Sequence, residues 1–316
     1  MRKVVTFLVI LGILFGCFSC SRNKEEKKEK VSVVLMALNS DYWNMVSTGA
    51  KKAGEKLGVE VDVLGPSTET MVVEQVGIVE NQIVAGASAI VLAALQPAAM
   101  MPVLNTAVKS KVPVVLIDTA IPEFKEQISY VGTVNIDGGA AAGKYLAENL
   151  QEGSKVAIVR GVEGSPTHDD RAKGCIDTLK DAGIEVVSIQ PANSFRDLAM
   201  TVTENILQAF PDVKGIYATN DEMALGALKA VEGAQRKDII VIGFDGAKDA
   251  LESIKDGALS ATVAQNPINE GYLGVEAAVK ALRGERVEKR IDTGIEIVTK
   301  ENVNEFQENI DKQMRL

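Results

Sequence analysis

The 316-residue chain is poor in the residues that most catalytic and metal centres use. It has one histidine, His168, and three cysteines, Cys17, Cys20 and Cys175. A zinc or similar site needs several His or Cys ligands or a dense set of carboxylates, so no metal is expected. A Ser-His-Asp reading needs a nucleophile held by that lone histidine, and no nucleophile-elbow motif is present. His168 reads as a residue of the loop GSPTHDDR. Cys175 has no evident partner, so the cysteines do not form a disulfide framework. Basic residues are also short, 34 against 43 acidic, for a net charge of −9. That balance argues against a nucleic-acid partner, which normally demands a basic face. No short-period repeat or long low-complexity tract occurs. The one strongly apolar run, Val4 to Leu14, is too short for an ordinary membrane span.

That run follows Arg2 and Lys3 and leads into Leu14-Phe15-Gly16-Cys17. A charged start, an apolar stretch and a small residue before the next segment are the parts of an export leader. The end of the run resembles the lipobox of bacterial lipoproteins, which implies acylation of Cys17 and removal of residues 1–16. Cys20, after Ser19, is the second candidate. Residues 17–30, dominated by SRNKEEKKEK, read as a charged tether.

From Val31 the chain alternates strand-like and helix-like segments. Strands are expected at 31–38, 59–64, 89–93 and 112–117, with helices at 41–57, 68–85 and 97–110 between them. After Tyr130-Val131-Gly132 the pattern restarts. Helices are expected at 138–149, 169–181, 198–210 and from Glu222 to Leu228. Strands are expected at 155–159, 185–189, 239–244 and within Gly215–Thr219. The tail offers a strand at 261–264, a helix at 269–282 and a strand at 294–298. Such alternation predicts α/β architecture, two doubly wound parallel-sheet lobes divided near Gly132.

Polar residues gather where strands end. Ser40, Asp41, Tyr42 and Trp43 follow the first strand, and Asp118 and Thr119 follow VPVVLI. Asn220 and Asp221 follow GIYAT, Asp245 follows IIVIGF, and Gln265 follows ATVA. Each alone reads as a cap or turn residue as readily as a contact. Together they mark the edge where doubly wound sheets bind small molecules. Carboxylates and amides suit the hydroxyls of a polyol. Trp43, the sole tryptophan in a chain with 4% aromatics, and Tyr42 offer flat faces for a sugar ring. Arg171 is either a fork for ligand oxygens or a surface partner of Asp169 or Asp170. Gly138 to Lys144, GGAAAGK, has the spacing of a phosphate-binding loop. Tyr145 follows where Ser or Thr would hold magnesium, and the segment reads as helix.

Four segments carry a family resemblance: VPVVLID, ATNDEMALGAL, VIGFDG and LSATVAQNP. Over about residues 31–298 the chain resembles the ribose/galactose-type periplasmic sugar-binding proteins of bacterial ABC importers, the ribose-binding members above all. The resemblance implies lobes of residues 31–132 plus 266–293 and 133–265 plus 294–316, joined by three crossovers. It implies a monosaccharide held in the cleft by Ser40, Tyr42, Trp43, Asp118, Arg171, Asn220, Asp245 and Gln265, with no cofactor. It also implies ABC permease subunits as partners, a membrane anchor, an extracytoplasmic address in the cell envelope, and a monomer without enzymatic activity. Two positions depart from the ribose pattern. Thr119 stands where an arginine usually follows the aspartate, and Ser194 fills an aromatic slot with Phe195 one residue late. Both departures point to a pentose or hexose other than ribose. A receptor signalling to a chemoreceptor or sensor kinase is the alternative. The sugar-responsive repressors that share the fold carry an N-terminal helix-turn-helix, where this chain has a leader and tether.

Overall fold

The computed structural model describes residues 28–315, so Cys17, the leader and most of the tether lie outside the described residues. The first half of the chain runs β1 (Lys30–Val34), α1 (Asp41–Leu57), β2 (Glu60–Leu64), α2 (Val72–Val84), β3 (Ala89–Leu92), α3 (Pro97–Lys109), β4 (Val114–Ile117) and β5 (Tyr130–Gly132). The second half runs α4 (Asn135–Asn149), β6 (Lys155–Arg160), α5 (Pro166–Asp181), β7 (Glu185–Pro191), α6 (Arg196–Ala209), β8 (Val213–Ala218), α7 (Asp221–Gly233), β9 (Ile240–Asp245), α8 (Lys248–Lys255) and β10 (Ala261–Ala264). Then come α9 (Pro267–Leu282), β11 (Arg290–Asp292), β12 (Glu296–Thr299) and α10 (Val303–Arg315).

Two six-stranded sheets result, ordered β11-β5-β4-β3-β1-β2 and β12-β10-β9-β8-β6-β7. Pairing is parallel throughout, except that β12 runs antiparallel to β10. The chain passes between the sheets three times: from β5 into α4, from β10 into α9, and from β11 into β12.

The strands read as continuous apolar runs because helices cover both faces of each sheet. Alternation still decides which core each side chain joins. In β3, Ala89 and Val91 enter one core while Ile90 and Leu92 enter the core on the opposite face. In β6, Ala157 and Val159 split in the same way from Val156 and Ile158. A buried amide ties the first sheet's loops together. Gln75 Nε2 donates to the carbonyls of Leu35 and Ala93, each at 2.8 Å, and its Oε1 accepts from Leu95 N–H at 2.9 Å.

Reciprocal glycines seat the helices nearest the cleft. A Cβ on Gly49 of α1 would stand 1.8 Å from the carbonyl oxygen of Ile268 in α9, and one on Gly271 would stand 2.0 Å from that of Val46. In the second lobe, a Cβ on Gly139 of α4 would stand 1.9 Å from the Arg171 oxygen of α5. One on Gly174 would stand 2.0 Å from the oxygen of Ile136. GGAAAGK therefore lies inside a helix as a packing face, and Lys144 is exposed, 3.8 Å from Glu148.

Several expectations are corrected. The helix expected over 68–85 begins only at Val72, which leaves Thr68, Glu69 and Thr70 in a turn. The first strand stops at Val34 instead of Leu38. His168 lies in α5, which starts at Pro166, the proline-first position that favours helix initiation. β11, α8 and α10 were not foreseen. β11 has three residues, α8 only eight, and α10 is a strongly polar helix at the end of the chain.

Candidate functional site

A cavity of about 110 Å³ opens between the sheets at the carboxyl ends of their strands. Of the ten expected site residues, Ser40, Tyr42, Trp43, Asp118, Arg171, Ser194, Asn220 and Asp245 line it. Thr119 and Gln265 stand behind it. Thr119 Oγ donates to Asp118 Oδ2 at 3.1 Å and, its single proton spent, accepts from Thr167 Oγ at 3.2 Å. It faces a separate hinge-side cavity of about 180 Å³. Gln265 Nε2 donates to Asp245 Oδ1 at 2.9 Å, while its own Oε1 is buried without a partner.

Each side chain is placed by an element end. Ser40 caps α1, its Oγ accepting from Trp43 N–H at 3.5 Å. Asn220 caps α7, its Oδ1 accepting from Met223 N–H at 3.0 Å, so its Nδ2 remains as a donor at the cavity. Cap and cavity roles thus coexist in one amide. Its neighbour Asp221 turns away from the cleft, accepting from Ala247 N–H and Thr262 Oγ, each at 2.7 Å. Burial pushes Asp221 up to about 7 against the pull of those hydrogen bonds. Asp118 and Asp245 end their strands at φ 55° and 125°, and Asn193 and Ser194 sit at 52° and 62°. Non-glycine residues held there cost about 1–3 kcal/mol each, strain of the kind that gathers at ligand sites.

Arg171 is the charge centre. The surface ion pair with Asp169 or Asp170 is not found; Arg171 is 3% exposed. Its Nε donates to Asn135 Oδ1 at 2.8 Å and its Nη1 to the Thr219 carbonyl at 3.0 Å. It lies 3.5 Å from Asp245 Oδ1 and 3.7 Å from Asp118 Oδ1, and packs 3.9 Å over the Phe244 ring. Burial and its two carboxylate neighbours oppose each other, and the carboxylates prevail, so its proton is held more tightly than usual. The aspartates move in the unfavourable direction. Burial raises both Asp118 and Asp245, and the shared guanidinium only partly offsets it. One cation well compensated by two anions leaves each anion undercompensated. A ligand hydroxyl donating a hydrogen bond to either carboxylate would supply part of the missing compensation.

The aromatic pair is edge to face, with centroids 4.9 Å apart and planes at 86°. Both rings are buried in the first lobe's core and also border the cavity. Tyr42 Oη donates to Glu270 Oε2 at 2.9 Å. Glu270 is fully buried in α9, and burial drives its carboxyl well above the ordinary range. His168 is buried too, its Nδ1 2.8 Å from Thr219 Oγ. Phe195 lines the cavity beside Ser194.

Sequence reasoning missed Glu69, Asn135 and Glu270. Glu69 accepts from Trp43 Nε1 at 3.3 Å and from Ser194 Oγ at 2.6 Å. The run Gly65-Pro66-Ser67-Thr68 was the available sign that a turn, not a helix, precedes Val72. Among the described residues, no cluster of three or more His, Cys, Asp or Glu is arranged to hold a metal ion. Among them, too, no helix is long and apolar enough to cross a membrane.

Two parallel-sheet lobes, three crossings and a polar cleft at the strand ends define a two-lobed binding protein. Residues 31–286 match the periplasmic binding protein domain, and the chain belongs to that family. It is 36% identical over 309 residues to the ribose import binding protein RbsB of Bacillus subtilis (strain 168), covering 95% of this chain and 99% of that one. A solute-binding protein of an Agrobacterium vitis ABC transporter, solved with bound D-fucose, is 32% identical with a TM-score of 0.86 and covers 89% of this chain and 99% of its own. A periplasmic counterpart from Actinobacillus succinogenes 130z, solved with D-allose, is 29% identical with a TM-score of 0.83, covering 88% and 100%.

Proposed function

We propose that the protein is a lipid-anchored extracytoplasmic receptor that binds a monosaccharide between its lobes and delivers it to an ABC permease. The observation that carries this is the convergence of Asp118, Asn220, Asp245 and Arg171 on one cavity walled by Tyr42 and Trp43. Undercompensated carboxylates accept from sugar hydroxyls, Asn220 Nδ2 and the Arg171 fork donate to sugar oxygens, and an aromatic face covers the apolar side of the ring. Shutting the cleft removes water and strengthens each of these bonds. The relatives named for ribose import, and those solved with D-fucose and D-allose, support the ligand class. Residues 31–132 with 266–293 form one moving lobe and 133–265 with 294–316 the other.

A thermal-shift panel of D-ribose, D-allose, D-arabinose and D-fucose tests this reading. A ligand at a hundred times its dissociation constant adds about 2.7 kcal/mol to the folded state. At this size that is a rise of roughly 5–10 °C. Thr119 supplies no guanidinium and Ser194 no ring, so the largest rise is expected from a sugar other than ribose. Ribose alone raising the melting point would overturn that specificity, and no rise from any sugar would overturn the cleft reading. For the anchor, Cys17→Ala is expected to abolish fatty-acid labelling and free the protein from membranes; unchanged labelling would shift the anchor to Cys20.

A further inference from the structure

Glu69 is a cleft residue whose carboxylate is hydrogen-bonded by side chains of both lobes. It rises from the turn before α2, in the first lobe, and its side chain is 14% exposed. From its own lobe, Trp43 Nε1 donates to Oε1 at 3.3 Å. From the second lobe, Ser194 Oγ donates to Oε2 at 2.6 Å, and His168 Nε2 lies 3.5 Å from the same oxygen. The second lobe's groups are aimed. Asn193 and Ser194 both take left-handed backbone, at φ 52° and 62°, which turns the hydroxyl across the cleft. Thr219 Oγ accepts from Gly161 N–H at 3.0 Å, so its own proton is free for His168 Nδ1 at 2.8 Å. An Nε2–H on His168 then faces Glu69 and, at 3.3 Å, Ser194 Oγ. Burial opposes the charge on Glu69, but the His168, Ser194 and Trp43 bonds outweigh it and hold the carboxyl below its usual value.

These bonds span the opening between the lobes, so they exist only when the cleft is shut. We propose that Glu69 is the clasp of the closed receptor, a positioning residue that fixes the Trp43 indole as a ligand wall and sets how fast bound sugar leaves. The aromatic slot of the ribose pattern is filled here by a hydroxyl because that hydroxyl is the second lobe's half of the clasp.

The sole tryptophan makes the clasp observable, since its emission reports the indole N–H partner. The variants are Glu69→Ala, Glu69→Gln, Ser194→Ala and the Glu69→Ala/Ser194→Ala double. They are compared by Trp43 emission and by stopped-flow release of whichever of D-ribose, D-allose, D-arabinose or D-fucose gives the largest melting shift. Glu69→Ala is expected to speed release on the order of tenfold to a hundredfold, the loss of one or two charge-assisted bonds, with association nearly unchanged. Ser194→Ala should speed release as well and shift Trp43 emission, although no hydrogen bond joins Ser194 to the indole. The double variant should match Glu69→Ala alone. Glu69→Gln keeps an acceptor for the indole and should restore the emission more than the release rate. Wild-type emission and release in Ser194→Ala, or effects that multiply in the double variant, would overturn the clasp. Both arms read the sugar-loaded, shut protein and so rest on the sugar reading. No melting shift from any of the sugars overturns that reading and the clasp with it, whereas a clear shift together with wild-type emission and release in Ser194→Ala overturns the clasp alone.

Discussion

Arg171→Ala is expected to lower sugar affinity about a thousandfold and to destabilise the protein by about 3–5 kcal/mol. The affinity figure is the loss of two charge-assisted hydrogen bonds to ligand oxygens, at roughly 1.5–3 kcal/mol each. The stability figure is that of removing one partner from a buried ion pair. Here the remaining partners are two carboxylates, Asp118 at 3.7 Å and Asp245 at 3.5 Å, with no second buried guanidinium beside them among the described residues. Both carboxyls are already raised by burial. A carboxyl raised in the folded state contributes its stability below the unfolded value of about 4 and loses it as pH rises through the folded one. Without Arg171 the folded values rise further, so the deficit should be small at pH 5 and large at pH 8. Urea titrations at both values read the stability, and calorimetry reads the affinity. Arg171→Lys should recover part of the stability but little of the affinity, because an ammonium cannot reproduce the fork to Asn135 and Thr219. Affinity within tenfold of wild type in Arg171→Ala would remove the guanidinium from the site.

Residues at strand ends were legible because two local patterns meet there. An apolar run that stops at Asp118 or Asp245, or passes through Asn220 into a helix, places that residue at the carboxyl edge whatever the rest of the chain does. The side on which a side chain then lies was not legible. Asn220 and Asp221 are adjacent and chemically alike, yet one borders the cavity and the other is spent on Ala247 and Thr262. Gln265 ends its strand as expected but reaches only the back of Asp245.

What escaped the sequence depends on long-range contacts. Glu69 meets Ser194 across 125 positions, and Tyr42 meets Glu270 across 228. An acidic residue in the first turn of a helix, as Glu270 is in α9, reads as a favourable dipole partner on a wet surface. Nothing local says that Tyr42 will cover it. Arg171 was ambiguous for the same reason, since Asp169 and Asp170 stand beside it in sequence while Asp118 and Asp245 come from other strands.

Gly139→Ala should be among the most damaging single-methyl changes near the site, and it separates the two readings of GGAAAGK. The added Cβ would stand 1.9 Å from the Arg171 carbonyl oxygen and 2.9 Å from its Cα, both backbone atoms of α5. No rotamer change relieves such a clash, so α4 and α5 must part. Overpacking of this kind costs about 1–3 kcal/mol, occasionally more. The cost falls at the residue whose guanidinium is held by Asn135 of α4 itself, so separation also pulls the Arg171 fork from the cleft. Gly139→Ala is therefore expected to lower the melting temperature by roughly 2–10 °C and to weaken sugar binding more than tenfold. Gly143→Ala, 2.9 Å from the Cys175 carbonyl and further along the helix pair, should cost less stability and leave binding nearly intact. Lys144→Ala removes only an exposed side chain 3.8 Å from Glu148 and should change neither quantity. A phosphate-binding loop would reverse this order: Lys144→Ala would be the functional loss, and ATP with magnesium would raise the melting temperature of the wild type but not of that variant. Wild-type sugar affinity in Gly139→Ala would mean that α5 tolerates the shift and that Arg171 is not positioned by the glycine contact.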